Sequence, residues 1–272
     1  MNIYGVGVMD KVTIITVCYN AEKHIRDTMI SVLEQEYCNI EYLVIDGKSK
    51  DNTVYIAQQC RELYPHMNCC IISEKDNGIY DAMNKGIDLA TGEWILFMNA
   101  GDKFHSSKVV SLFFSKKYDE RVSAVYGNTV RIHNGKRIFV EGKPLWEIRK
   151  GFPLPFCHQS IFVRCCYLKE KGFDTAYKQA ADYKFFCEMY LQKVYFEHID
   201  VIVSDYLMGG ISETNTVFHL NEKIHIREEL GIQKYSKVQK KFLLMHLSMK
   251  QTIKKILPKK IVEYIVEIRS KK

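Results

Sequence analysis

The chain has 272 residues, 47% hydrophobic and 26% charged, enough apolar material for a packed core and not the composition of a disordered chain. No charged-then-apolar leader opens it and no run of about 18 uncharged apolar residues occurs, so neither a secretory signal nor a membrane-spanning helix is expected. The net charge of +7 is uneven: residues 231–272 hold twelve Lys/Arg against two acids, a net of +10, which leaves −3 for the rest and excludes the basic stripe of a nucleic-acid-binding body.

In chain order, Val12 to Cys18 is a continuous β-branched run of the kind a strand covered on both faces requires. A helical pattern follows through Ile25, Met29, Val32 and Leu33, and a second strand from Tyr42 to Ile45 ends at Asp46-Gly47. Asp51-Asn52-Thr53 marks a helix start. Cys69 to Ile72 is a third strand, a helix runs from about Ile79 to Ala90, and Trp94 to Met98 is a fourth strand closed by Asn99-Ala100-Gly101-Asp102. This alternation predicts a parallel sheet with right-handed crossovers, whose ligands sit at the carboxyl ends of the strands.

Beyond Phe104, Ala124 to Ile132 and Arg137 to Val140 form a hairpin around His133-Asn134-Gly135. Gly151 to Pro155 reads as a loop and Ile161 to Val163 as a strand. Tyr183 to Tyr190 reads as a helix and Val194 to Val203 as a strand. Nine cysteines, with no CxxC or Cys/His ligand spacing, predict free thiols in a reducing, cytoplasmic setting and no zinc site.

Four acids, Asp46, Asp76, Asp81 and Asp102, fall just beyond strand ends. One such Asp is usually a loop or cap residue. Four on one edge point to a nucleotide and a hard divalent cation, Mn2+ or Mg2+.

The blocks Thr16-Val17-Cys18-Tyr19-Asn20 and Val44 to Thr53 resemble the opening of glycosyltransferase family 2, the inverting GT-A enzymes. Ser73 to Gly86 (SEKDNGIYDAMNKG) and Phe97 to Asp102 continue the resemblance, which covers roughly residues 11–215 and is nearest the branch that builds colanic acid, O-antigen and capsule. It implies an α/β GT-A domain over residues 1–230, with a Rossmann-like, mostly parallel donor half at about 11–104 and an acceptor half at about 105–230. A helical tail would occupy 231–272.

The resemblance assigns Val17, Tyr19, Asn20, Asp46, Gly47, Ser49, Asp76, Gly78, Asn84, Asn99 and Asp102 to the nucleotide-sugar donor, with Asp102 as metal ligand. Asn99 and Gly101 stand where the family usually has acids, which leaves one carboxylate for the metal. Asp182 matches the position of the catalytic base; an unperturbed Asp, pKa about 3.9, is ionised at pH 7 but a weak base, and the plain alternative is a helix N-cap. His158 and Gln159 would bind sugar hydroxyls. Gly209-Gly210-Ile211-Ser212 would fold over the diphosphate. His219 is a candidate third ligand against the plainer reading of an ordinary helix histidine.

The tail interleaves Lys with Phe242, Leu243, Leu244, Leu247, Ile253 and Ile256 in an amphipathic pattern broken at Pro258. It suits an anionic membrane surface and a polyprenyl-linked oligosaccharide acceptor at the inner face of the cell membrane; the alternative is a helical hairpin packed on the body. Competing readings are a sugar nucleotidyltransferase, which needs a Gly-rich phosphate loop where Tyr19 to Glu22 stands, and a non-catalytic assembly subunit. A dinucleotide fold lacks its GxGxxG.

Overall fold

The computed structural model describes residues 9–209 and 216–256. The chain divides into two compact units, the first ending at Met208 and the second starting at Gly209.

The donor half of the first unit follows the predicted alternation. It runs β1 (Val12–Cys18), α1 (Ile25–Leu33), β2 (Ile40–Asp46), α2 (Thr53–Leu63), β3 (Asn68–Ser73), α3 (Ile79–Leu89) and β4 (Trp94–Phe97). All pairings in this half, β1 with β2 and β4 and β2 with β3, are parallel. The register Cys18↔Asp46↔Ser73 brings three strand ends level.

Every residue of β1 and β2 is buried. A strand covered on both faces has no wet side, so its polar groups must pair inside. Thr16 donates its hydroxyl to the Met98 carbonyl at 2.7 Å, and Thr13 to Glu41 at 2.7 Å. On one face α1 buries Ile25, Met29, Val32 and Leu33. On the other, α3 presses onto β1 through Gly86, where a Cβ would come within 2.7 Å of Ile15 Cγ2. Fully buried Trp94 meets Phe114 and Tyr118 at ring-centroid distances of 5.7 and 5.4 Å. Each such side chain contributes roughly 1.5–3 kcal/mol by leaving water.

Beyond β4 come β5 (Lys103–Phe104), α4 (Val109–Phe113), β6 (Val122–His133), β7 (Lys136–Val140), a 3-10 turn (Leu145–Lys150), β8 (Ile161–Arg164), α5 (Cys165–Lys171), α6 (Ala181–Leu191) and β9 (Tyr195–Leu207). The sheet order is β3-β2-β1-β4-β8-β6-β9-β5, with β7 beside β6. Here the pairing is mixed: β4 with β8, β6 with β7 and β8, and β5 with β9 are antiparallel, and β6 with β9 is parallel. The predicted hairpin is present, with Asn134 and Gly135 at φ 49° and 75°, the pair of left-handed residues a two-residue turn needs. Strand β9, outside that hairpin, runs four residues past the expected end at Val203. In that extension Asp205 accepts from Arg137 at 3.0 Å and pairs with His105 at 2.8 Å, fastening β7 and the end of β5 to β9.

At the opposite end of the sheet, Glu41 knits β2 to β1 and to the turn before β4. It receives the Thr91 N–H at 2.7 Å, the Thr13 hydroxyl at 2.7 Å and the Lys11 ammonium at 3.0 Å. Burial opposes its charge, but the hydrogen bonds from Thr91, Thr13 and Lys11 win and hold its pKa at about 2 against 4.5. A depressed carboxylate stabilises the fold above its unfolded pKa and loses that contribution as pH falls through the folded value. Glu41→Gln is therefore expected to cost on the order of 2 kcal/mol at pH 7 and to flatten the acid limb of the stability curve between about pH 5 and 2. Urea unfolding of both proteins across that range checks this; parallel curves would refute it.

The second unit holds α7 (Thr216–Glu229) and α8 (Lys237–Ile256). Lys240 meets Glu228 at 2.6 Å and Tyr235 N–H meets the same carboxylate at 3.1 Å, which fixes the connection between the two helices. Val238, Phe242, Met245 and Met249 are exposed on α8 at helical spacing. Pro258 and the residues after it lie outside the described part, as do Gly210, Ile211 and Ser212.

Candidate active site

The expected site residues group at the carboxyl ends of β1, β2, β3 and β4 and around the start of α6. At the end of β1, Tyr19 is 58% exposed, an open ring face, while Val17 beneath it is buried. Asn20 takes φ 49°, a left-handed conformation its short amide tolerates. Its N–H donates to Ser49 Oγ at 2.8 Å and its Oδ1 accepts from Lys50 N at 2.9 Å, stitching the loop after β1 to the loop after β2.

Asp46 is fully buried. It accepts from Ser49 N at 2.9 Å, Ser73 Oγ at 2.6 Å and the Ser49 hydroxyl, so its carboxylate organises the loop from within. Gly47 has a packing reason: a Cβ there would lie 2.3 Å from Asp76 Oδ2. The glycine lets the Asp76 carboxylate close on the end of β2, where its other oxygen accepts from Gly78 N at 3.0 Å. Burial, then the charges of Asp46, Asp51 and Asp76, hold the Cys18 thiol far above the usual range, an electrostatic sign that these acids share one edge. Asp81 behaves as a cap, accepting from Asn77 N at 2.8 Å.

At the end of β4, Asp102 is 5% exposed and accepts from Leu207 N at 3.0 Å. Thr28 of α1 braces this turn, accepting from Gly101 N at 2.9 Å and donating to the Asp102 carbonyl at 2.7 Å. The amide oxygen of Asn99 is buried and accepts no hydrogen bond. The Asp102 N–H donates to the Asn99 carbonyl at 2.9 Å, so an orphaned buried acceptor and a buried carboxylate belong to one turn, donor types that suit a hard cation. Among the described residues no cluster of three or more His, Cys, Asp or Glu could hold a metal alone, so other ligands would come from the donor or water.

Asp182 sits in the first turn of α6, with Ala180 at the cap position, so it is not the N-cap. It accepts instead from the hydroxyl of Tyr80 at 2.8 Å. The His158 ring lies 3.8 Å from its other oxygen, enclosed by Phe97, Phe173 and Phe186 with centroids at 5.2 to 6.0 Å. Burial lowers the pKa of His158 and the charge of Asp182 only partly opposes this, so the imidazole is neutral at pH 7. Gln159 is buried and its carbonyl accepts from the Cys157 thiol at 3.0 Å. That thiol is pushed up to about 12 by burial and then by Asp102, which sets the 157–159 turn close to the end of β4.

Asn84 donates to the Phe173 carbonyl at 2.8 Å and accepts from the Phe173 N–H at 2.7 Å, so it clasps α3 to the segment after α5. His219 lies within α7, the helix position of the plainer reading. Tyr80 and Cys157 were not singled out from the sequence. For Tyr80 a signal existed, since it stands four residues before Asn84 on one face of α3.

An open sheet with carboxylates at its parallel strand ends is the frame of the GT-A glycosyltransferases. The Glycosyl transferase family 2 profile matches residues 13–183. The PGL/p-HBAD biosynthesis glycosyltransferase of Mycobacterium tuberculosis is 29% identical over 211 residues, 75% of this chain and 79% of the relative. Escherichia coli YibD, an uncharacterized glycosyltransferase, is 32% identical over 103 residues, covering 38% of this chain and 29% of its own. Among solved structures, S. aureus TarS 1-349 in complex with UDP-GlcNAc superposes with a TM-score of 0.65 at 18% identity, covering 86% of this chain and 70% of that one. The mannosyltransferase PcManGT of Pyrobaculum calidifontis, in complex with GDP-Man and Mn2+, gives 0.64 at 17%, covering 87% and 68%. The chain belongs to glycosyltransferase family 2 and is a glycosyltransferase.

Proposed function

We propose that the protein moves a sugar from a nucleotide-sugar donor, a UDP-sugar in the first instance, onto a carbohydrate acceptor with inversion at the anomeric carbon. The observation that supports this most is the contact of Asp76 with the end of β2, the turn that Asn99 and Asp102 share after β4, and the meeting of Asp182 with Tyr80 and His158, at the end of the sheet where α/β folds take ligands. Val17, Tyr19, Asn20, Asp46, Gly47, Ser49, Asp76 and Gly78 form the donor wall, with Tyr19 offering its ring and Asp76 its carboxylate. His158 and Gln159 lie on the sugar side.

Asp182 takes the proton of the acceptor hydroxyl as that oxygen bonds to the anomeric carbon and the bond to the diphosphate breaks. Asp102 and the Asn99 amide oxygen would hold Mn2+ or Mg2+, which when bound supplies positive charge opposite the departing diphosphate. TarS with UDP-GlcNAc and PcManGT with GDP-Man and Mn2+ support a nucleotide-sugar and a divalent cation in this fold.

The test is a thermal-shift and hydrolysis screen of purified protein against UDP-, GDP- and dTDP-sugars with and without Mn2+. Cation-dependent stabilisation by one nucleotide, with slow release of its diphosphate, is the expected result. No response from folded protein would overturn the donor-site reading and leave the assembly-subunit alternative.

The acceptor we assign is a polyprenyl-linked oligosaccharide of a bacterial surface polysaccharide, met at the inner face of the cell membrane. Among the described residues no helix is long and apolar enough to cross a membrane. The apolar stripe of α8, with Lys237 and Lys241 also exposed on that helix, supports peripheral contact. Cosedimentation with phosphatidylglycerol vesicles is expected and should weaken several-fold in Phe242→Ser or at high salt; binding indifferent to both would count against it.

A further inference from the structure

Tyr80 is 7% exposed and gives its hydroxyl to Asp182 Oδ1 at 2.8 Å, across 102 residues of chain. Its ring packs on Phe173 with centroids 5.5 Å apart. One helical turn later Asn84 holds the backbone of that same Phe173 through both amide groups. Residues i and i+4 share a helix face, so α3 grips the segment leading into α6 at two levels. The second carboxylate oxygen, Oδ2, lies 3.8 Å from His158 Nδ1, beyond hydrogen-bond length. Tyr80 thus occupies one oxygen of Asp182 and leaves the other without a hydrogen bond among the described residues.

The start of α3 is also donor wall. Asp76, packed against Gly47, accepts from the N–H of Gly78, the residue from which α3 departs. One helix therefore has the Asp76 contact at its N-cap, Gly78, and the base contact two residues on, at Tyr80.

We infer that Tyr80 is a positioning residue for Asp182: its hydroxyl fixes the carboxylate so that Oδ2 faces the attacking hydroxyl, and α3 ties that alignment to the donor wall. This rests on Asp182 being the base. Tyr80 keeps its own proton throughout; the proton of the acceptor oxygen passes to Asp182 Oδ2, and the electron pair of the breaking bond leaves with the nucleoside diphosphate. A tyrosine hydroxyl serves here because it donates to an anion without carrying a charge that would suppress the basicity of its partner.

The experiment is Tyr80→Phe, which keeps the ring on Phe173 and removes only the hydroxyl. UDP-GlcNAc and GDP-mannose with Mn2+ are the probes, and diphosphate release is read in single turnovers. The rate at saturation is expected to fall about tenfold or more, with donor affinity within about twofold of wild type and an unchanged melting temperature. An effect carried through Asp182 disappears once that carboxylate is gone, so Tyr80→Phe added to Asp182→Asn should cost nothing further. A rate within about twofold of wild type, an equal loss in donor affinity, or full additivity in the double variant would each overturn the inference. An active Asp182→Asn protein would overturn the base assignment itself; an inactive one beside an unaffected Tyr80→Phe would overturn only the role of Tyr80.

Discussion

Asp182→Asn is expected to lower the rate of sugar transfer by about two to four orders of magnitude while leaving donor affinity within about twofold. The asparagine is isosteric and its carbonyl can still accept the Tyr80 hydroxyl, so the grip of α3 on α6 survives. What disappears is the capacity to take a proton. The neighbouring imidazole offers no substitute, because His158 is walled in by Phe97, Phe173 and Phe186 and its Nδ1 is 3.8 Å from the carboxylate. Calorimetric titration of the donor beside single-turnover rates makes the comparison. Retention of more than about a tenth of the wild-type rate would show that the base lies elsewhere.

The second large effect is expected at Asp102. Asp102→Asn keeps a carbonyl for the Leu207 N–H, so the junction of β4 and β9 holds and the melting temperature should move little. The variant loses the one buried carboxylate at the end of β4, leaving two neutral amide oxygens, Asn99 and the new one, as the hard ligands there. A cation site reduced from one charge to none should need roughly a hundredfold more Mn2+ for half-maximal activity. The cation titration curve of each protein decides this. Superimposable curves would remove Asp102 from the cation site.

Much of this arrangement was legible before the structure. Val12 to Cys18 matched β1 at both ends, because a β-branched run bounded by a lysine and a Tyr-Asn turn has no competing reading. The hairpin at Asn134-Gly135 was equally plain, since few residues take two successive left-handed conformations. What the chain order concealed was contact between distant parts. The sequence presents Tyr80 as one letter of a donor motif, and only the packing of α3 on the 173 segment brings its hydroxyl to Asp182. Asn84 was assigned to the donor by resemblance, and its amide's hold on the backbone of Phe173 was not visible in the chain order. Short elements were also missed: α5 and the turn at Leu145–Lys150 span no more than two helical turns each and carry little periodicity.

The cysteines carry a practical consequence. Cys18 and Cys157, the two thiols nearest the acids, are held protonated by burial and by those acids, and thiols in that form are poor nucleophiles. Cys38, Cys70 and Cys166 are exposed. An alkylating dye at neutral pH should therefore decorate the outside of the protein and spare its working end. A spectroscopic reporter can be installed on the wild-type chain without engineering, and labelling at Cys18 would signal that the β1–β2 edge had opened.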